Sequence, residues 1–267
     1  MICFPNAKIN LGLHVTARRQ DGYHDIETVF YPIPLCDALE ITPADKWSFE
    51  QTGIALDAPS DDNLVMKALR CMQQRHQIPA SSVFLHKAVP VGAGLGGGSS
   101  DASFMLKLLN DYAELNIPDN ELETMAASLG ADCPFFVRNT PVVATGTGNV
   151  FCPVDVSLKD YTICIVKPDI AVSTREAYSL VKPAMPPRPL SEVVSLPVEQ
   201  WREVLVNDFE PSIFRLYPQI EKIKNELYER GAVYAAMSGS GSAVFGLFKD
   251  EPEIKSPYYY VWKGKMK

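Results

Sequence analysis

Excess positive charge is the first thing this 267-residue chain lacks: 25 lysines and arginines stand against 32 aspartates and glutamates, a formal charge of −7. General binding to nucleic acid or to a membrane surface needs a basic face, so that balance argues against both kinds of partner. An anionic ligand must instead be held by a few local cations and by backbone N–H groups. Long apolar runs are also missing, since nothing approaches the roughly 20 apolar residues of a membrane span. Asn6 and Lys8 interrupt the early apolar stretch before it reads as a signal peptide. Histidine is scarce, with four in the chain, and the six cysteines (Cys3, Cys36, Cys71, Cys133, Cys152 and Cys164) include no C-x-x-C pair and no histidine at zinc spacing. They read as reduced core thiols, and the chain as a cytoplasmic protein. With 46% hydrophobic residues it has enough apolar material for one large or two modest domains.

Glycine is sparse too, at 16 residues, yet five of these fall in Gly92, Gly94, Gly96, Gly97 and Gly98. The run from Pro90 through Leu95 to Ser99, Ser100, Asp101 and Ser103 leads into apolar positions Ala102, Met105, Leu106 and Leu109 at helical spacing. Without Cβ atoms the backbone can take positive φ and turn several N–H groups toward one anion, and the following helix offers its positive dipole end. A flexible linker has similar composition but seldom runs straight into an amphipathic helix. The loop is therefore a phosphate cradle, with Ser99, Ser100 and Asp101 adding oxygen ligands suited to a metal ion. It is not a P-loop, because Gly98 is followed by Ser99 and not by lysine. A dinucleotide fingerprint fails at the spacing of its glycines and lacks an acidic ribose ligand. Neither His-Arg-Asp nor Asp-Phe-Gly occurs, which removes the protein-kinase pattern.

Along the chain, Ile9, Leu11, Leu13 and Val15 alternate with Lys8, Asn10, Gly12 and His14, predicting a half-buried strand over 8–15. A turn at 20–24 leads to a strand over 26–30. Asp61, Asp62 and Asn63 cap a helix over about 64–76, a strand at 83–89 delivers the glycine loop, and a helix opens at Asp119 and stops at Gly130. Strands are expected over 142–152, 161–167, 233–237 and 243–248, and a helix over 217–230. The prolines at 183, 186, 187, 189 and 197 predict an irregular segment over 183–200. Strands and helices mix without strict βαβ alternation, which favours an α+β fold. A break near residue 155 suggests two lobes with a ligand cleft between them.

Two further spots carry chemistry. Ser238, Gly239, Ser240, Gly241 and Ser242 form a small-residue loop between two strands, an ordinary tight turn by itself but a second wall for a phosphate site beside the first loop. Asp132, between a helix stop and Pro134, reads first as a helix cap. Lys8 shares the polar face of its strand with Asn10. His14, His76 and His86 read as surface or satisfied core residues, whereas His24 beside Tyr23 in a glycine turn is harder to dismiss.

Taken together, Pro5 to Leu11, Gly92 to Ser103 and Ser238 to Gly241 resemble, in order and spacing, the three motifs of the GHMP kinases, and the resemblance runs from about Phe4 to about Phe248. Arg19 to His24, Thr28 to Phe30 and Gly130 to Phe136 resemble the branch that phosphorylates the 2-hydroxyl of a cytidine-diphosphate-linked methylerythritol on the non-mevalonate route to isoprenoids. The resemblance implies a two-lobed GHMP-kinase fold, with an ATP-binding lobe at 1–155 and a substrate lobe at 156–267. It also implies ATP and Mg2+ as cofactors, a small-molecule substrate, and a monomer or weak homodimer.

By the same resemblance, Asp132 is the catalytic base and Lys8 its partner. Asn10, Tyr23, His24, Phe30, Ser173, Thr174, Tyr178, Ser238 and Gly239 contact substrate, with Tyr23 and Phe30 stacking on cytosine and Tyr178 closing its pocket. Asn63, Lys87, Pro90 and the loop from Gly92 to Asp101 lie on the nucleotide side, and Ser100 contacts magnesium. Ser103 departs from the alanine usual at the end of that loop, and the tail 250–267 carries no motif that can be assigned, reading as a terminal strand or helical cover. Another small-molecule kinase of the superfamily, a non-catalytic metabolite sensor on the same fold, and a dehydrogenase are the competing readings.

Overall fold

The computed structural model describes residues 1–55, 62–254 and 259–266. In chain order the strands are β1 (Ile2–Cys3), β2 (Asn6–Arg18), β3 (His24–Cys36), β4 (Ala38–Pro43), β5 (Ser48–Gly53), β6 (Ser81–Lys87), β7 (Val142–Thr145), β8 (Val150–Pro153), β9 (Thr162–Lys167), β10 (Tyr234–Met237), β11 (Val244–Phe248) and β12 (Tyr260–Lys265). The helices are α1 (Leu64–Gln73), α2 (Gly97–Tyr112), α3 (Asp119–Ala127), α4 (Phe135–Arg138), α5 (Thr174–Leu180), α6 (Leu190–Val193), α7 (Trp201–Val204), α8 (Glu210–Leu216) and α9 (Pro218–Glu229). None of the described helices is long and apolar enough to cross a membrane.

Two compact units divide the chain, one formed by Met1–Ala7, Leu35–Val91 and Gly96–Thr140, the other by Lys8–Pro34, Gly92–Leu95 and Pro141–Lys267. A single cut near residue 155 does not reproduce them, because Lys8–Pro34 and Gly92–Leu95 cluster with the C-terminal part of the chain, which itself begins at Pro141. The glycine loop itself passes from one unit to the other between Leu95 and Gly96.

In the first unit the sheet order is β1-β4-β6-β5, with β5 parallel to β6 and the other pairs antiparallel. Along β6 Val83 and Leu85 point into the core while Phe84 and His86 are exposed, the period-two pattern of a sheet covered on one face. The cover is helical. Val65, Ala68, Leu69 and Met72 on α1 and Ala102, Met105, Leu106 and Leu109 on α2 each form a stripe at i, i+3, i+4 and i+7, and both stripes enter one core with Leu122 and Met125 of α3. Asn63 caps α1 by accepting from the Val65 N–H at 2.9 Å, as expected, while Asp61 of the same predicted cap lies outside the described residues.

The second unit holds two sheets, β2-β3-β7-β8 and β10-β11-β9-β12. The expected strand over 142–152 is a hairpin, because Gly146 and Gly148 take φ of 64° and 94° and turn β7 back onto β8. Helix α9 buries Ile220, Ile223 and Leu227 in a core shared with Val244 of β11 and Val166 of β9. The tail resolves as a strand, β12, antiparallel to β9, although Tyr258 lies outside the described residues. The segment 183–200 is less irregular than its prolines suggest. Pro189 and Pro197 sit at the N-caps of α6 and of a 3-10 turn (Val198–Gln200), so here proline starts helical turns, its missing N–H costing nothing at that end.

Replacing Leu106, fully buried in the α2 stripe, by alanine is expected to destabilise the protein by about 3 kcal/mol, read as a lower urea midpoint.

Candidate functional site

Gly92, Gly94 and Gly96 take φ of 61°, 77° and 71°, so the loop after β6 turns through the left-handed region at alternate residues, where only glycine is unstrained. Gly96 is the N-cap of α2, and no side chain caps that helix. The helix begins at Gly97. Gly98, Ser99, Ser100 and Asp101 therefore belong to its first turns and not to a loop running on to Ser103, which corrects the boundary expected from the glycine count. Gly97 is needed for closeness and not for φ, since a Cβ there would stand 2.8 Å from Cγ1 of Val89. An uncapped helix start after three left-handed glycines is a cradle of N–H donors for phosphate.

Beneath this start lies a buried charge cluster. Lys87 at the end of β6 donates to Asp37 and, at 2.7 Å, to Asp101 of α2. Asp37 also accepts from the backbone N–H groups of Ala88 (2.6 Å) and Val89 (2.8 Å), which fixes the chain leading to buried Pro90. Burial pushes the Asp101 carboxyl up to about 7; Lys87 opposes the rise and Asp37 adds to it. Burial works against the Lys87 ammonium as well, but the two carboxylates outweigh it and raise its pKa. Lys87, expected on the nucleotide side, is thus committed to holding the loop. Asn63 is likewise committed, as cap of α1 and as donor to Gln51 at 3.1 Å. Ser100 Oγ and Asp101 Oδ1 are buried polar atoms with no hydrogen-bond partner among the described residues.

Asp132 is half-buried in the turn before α4, two residues ahead of that helix's N-cap, Pro134. Ser103, where the resemblance leads one to expect alanine, donates its hydroxyl to the Cys133 carbonyl at 2.6 Å and ties α2 to the Asp132 turn. The neighbouring Cys133 thiol is pushed up to about 11 by burial and stays protonated.

In the second unit Lys8 is 3% exposed and donates to Asn10 Oδ1 at 2.6 Å, with its ammonium 4.6 Å from the centroid of the Phe30 ring. Asn10 donates in turn to Thr28 Oγ1 (2.9 Å), and Thr28 to the Gly12 carbonyl (2.5 Å). The Lys8 N–H bonds the Leu95 carbonyl at 2.9 Å. Ser238 Oγ accepts from the Asn10 N–H (3.3 Å) and donates to the Gly94 carbonyl (2.8 Å). The lysine strand, the first half of the glycine loop and the Ser238 loop are therefore one hydrogen-bonded assembly.

The aromatic residues regroup. Phe30 is 2% exposed, covered by Lys8 and by Phe151 at 6.3 Å, so the expected stacking of Phe30 on a base is not available. His24 stacks instead on Tyr178 (centroids 4.9 Å apart, 23° between planes), and Tyr178 meets Phe209 edge-on. Tyr23, next to His24 in sequence, is 68% exposed. Ser173 is the N-cap of α5, and Thr174 Oγ1 lies 3.2 Å from Ser240 Oγ at the third motif.

Sequence reasoning misses Asp37 and Asn207, and it takes Thr28 only as part of a motif, with no contact assigned to it. Each is a buried polar residue whose partners are distant in sequence, and only the partners reveal its work.

A family model described as GHMP kinases N terminal domain matches residues 63–140, and one described as GHMP kinases C terminal matches 197–258. The chain is 60% identical to the 4-diphosphocytidyl-2-C-methyl-D-erythritol kinase of Parabacteroides distasonis, covering 100% of both chains. It is 55% identical to that of Bacteroides fragilis (strain ATCC 25285), covering 95% of this chain and 94% of the relative. A crystal structure of 4-(cytidine 5'-diphospho)-2C-methyl-D-erythritol kinase superposes with a TM-score of 0.81 at 30% identity, over 100% of this chain and 99% of the other. The mevalonate kinase of Methanococcus jannaschii shares the fold, with a TM-score of 0.73 at 13% identity over 100% and 98% of the two chains.

Two outcomes test this geometry. Gly94→Ala, whose methyl would stand 2.0 Å from the Ser238 carbonyl oxygen, is expected to weaken binding of a fluorescent ATP analogue by about tenfold to a hundredfold. Lys87→Met leaves Asp37 and Asp101 buried without their cation and is expected to cost about 3 to 5 kcal/mol in chemical denaturation.

Proposed function

The chain belongs to the 4-diphosphocytidyl-2-C-methyl-D-erythritol kinases, within the GHMP kinases, and from that membership we infer that it transfers a phosphoryl group from ATP to the 2-hydroxyl of 4-diphosphocytidyl-2-C-methyl-D-erythritol. The products are the 2-phosphate and ADP, on the non-mevalonate route to isoprenoid precursors. The full-length identity of 60% carries this reading. Another substrate within the superfamily does not account for that identity, and a silent sensor does not account for the presence of both Lys8 and Asp132.

The ATP phosphates are assigned to the N–H groups of the Gly92 to Gly98 loop and the start of α2, where backbone donors and the helix dipole replace the missing P-loop lysine. Mg2+ fits the same helix start. Ser100 Oγ is buried there without a partner, and no group of three or more His, Cys, Asp or Glu side chains among the described residues forms a cage of its own. Magnesium bound to a nucleotide takes most of its ligands from phosphate oxygens and water, so one hydroxyl with the neighbouring Asp101 carboxylate is a sufficient protein contribution. When bound, the ion neutralises charge on the β- and γ-phosphate oxygens.

Phosphoryl transfer through a loose transition state asks the protein mainly to place the hydroxyl and stabilise charge. A tertiary alcohol is far less acidic than a carboxylic acid, so Asp132 takes the proton as the new bond forms and not before. Lys8 stabilises the charge that develops on the oxygen, its ammonium aimed by Asn10 and by the Phe30 face. The His24 and Tyr178 pair, with exposed Tyr23, supplies the aromatic surface for the cytosine end, and Ser173, Thr174, Ser238 and Gly239 supply polar contacts. Phe30, lying under Lys8, serves the amine and not the base.

A coupled ADP-release assay on the purified protein is expected to show turnover on 4-diphosphocytidyl-2-C-methyl-D-erythritol; turnover on homoserine or mevalonate alone would overturn the reading. Asp132→Asn should lower kcat on the order of 10²-fold or more. Tyr178→Ala should raise KM for the cytidyl substrate about five- to tenfold and leave kcat nearly unchanged, marking the aromatic pair as a binding element.

A further inference from the structure

Asn207 lies outside all three motifs, on the connection between α7 and α8. It is almost fully buried, and its amide is used on both sides. Nδ2 donates to the Met237 carbonyl and to the Gly239 carbonyl, each at 2.8 Å, and Oδ1 accepts from the Phe209 N–H at 3.0 Å. The two carbonyls flank Ser238, so a single side chain pins the third motif from both ends. The stretch carrying Asn207 is itself laced to β2. Leu13 N–H bonds the Val206 carbonyl, Asp208 N–H bonds the Leu13 carbonyl (both 2.9 Å), and Leu13 pairs with Asn207 in an isolated parallel bridge. Glu210, three residues on, accepts from the Met237 N–H at 2.8 Å and from Lys224 at 2.6 Å.

Resting on the kinase reading above, we propose that Asn207 is a positioning residue for phosphoryl transfer. It sets the Ser238 loop, and through Ser238 Oγ it sets both the Gly94 end of the phosphate loop and the Asn10 backbone that aims Lys8. The chemistry selects asparagine. Two donors and one acceptor are required in a fixed plane at this reach; aspartate lacks the donors, and serine has only one. Nothing in the local sequence singles the residue out, because its partners lie 30 and 32 positions away.

The test is steady-state kinetics of Asn207→Asp as a function of pH, with kcat counted per folded molecule by active-site titration. The new carboxyl would face two carbonyl oxygens, with Glu210 and Asp208 as neighbouring acids and Lys224 and His14 as the bases paired to them. When ionised it repels the carbonyls; when protonated it restores one donor. At pH 8 kcat is expected to fall about 10²-fold, the cost of misplacing reacting groups by about 1 Å, and the ratio of variant to wild type is expected to climb toward acid pH. A merely structural role would lower the melting temperature and leave kcat per folded molecule, and its pH profile, unmoved. A variant kcat within twofold of wild type at pH 8 overturns the proposal. Should the aspartate variant not fold, Asn207→Ser is measured in the same way, with about a tenfold loss in kcat expected and a change within twofold overturning it. Absence of turnover in the wild-type protein would instead defeat the kinase reading, so the two failures are distinguishable.

Discussion

The backbone of Gly94 approaches the Ser238 peptide so closely that a single methyl group would collide with it at 2.0 Å. Much of the second unit's chemistry depends on that approach. It lets one hydroxyl, Ser238 Oγ, bond the glycine loop and the Lys8 strand together, and it requires a residue without Cβ and with φ of 77°. Positive φ and close packing are separate demands, and the glycines of this loop divide between them. Gly92 has open space around its missing Cβ and is needed for its φ alone, Gly97 for its contact with Val89, and Gly94 for both.

Two buried lysines are held by different side chains. The Lys87 ammonium is sequestered between Asp37 and Asp101 and stiffens the junction of β6 with α2, its value lying in what it holds still. The Lys8 ammonium donates to the Asn10 amide oxygen and lies against the Phe30 ring, contacts that orient it on the polar side of β2. Lys87 is thereby a support, and the proposed mechanism gives Lys8 the stabilising of the developing oxyanion. A lysine is a lysine in the sequence, and only the partners separate the two roles.

Legibility followed the range of the interactions concerned. The α1 and α2 stripes, the hydrogen-bond cap at Asn63, the α9 face and its Gly231 stop depend on neighbours within one or two turns, and periodicity exposes them directly. The hairpin inside 142–152 and the helical turns inside 183–200 depend on where glycine and proline stand within a turn, which composition alone does not reveal. Strands β1, β4 and β5 and helices α5, α7 and α8 were not anticipated. β1 is two residues long, and α7 a single helical turn, too short for a period to register. Ser103 differs from the family's alanine by one hydroxyl, and that hydroxyl holds the Asp132 turn from thirty residues away.

The chain by itself determined the phosphate cradle, the three motifs and, through their combination, the family, because backbone freedom at glycine and the order of motifs are properties written along one dimension. Tertiary structure decided how these parts are used. It put Phe30 under Lys8 and His24 against Tyr178, committed Lys87 to two buried carboxylates, and placed Asn207 across the ends of the Ser238 loop. Each of those is a contact between segments far apart in sequence, and a side chain's chemistry depends on what the fold brings within about 3 Å of it.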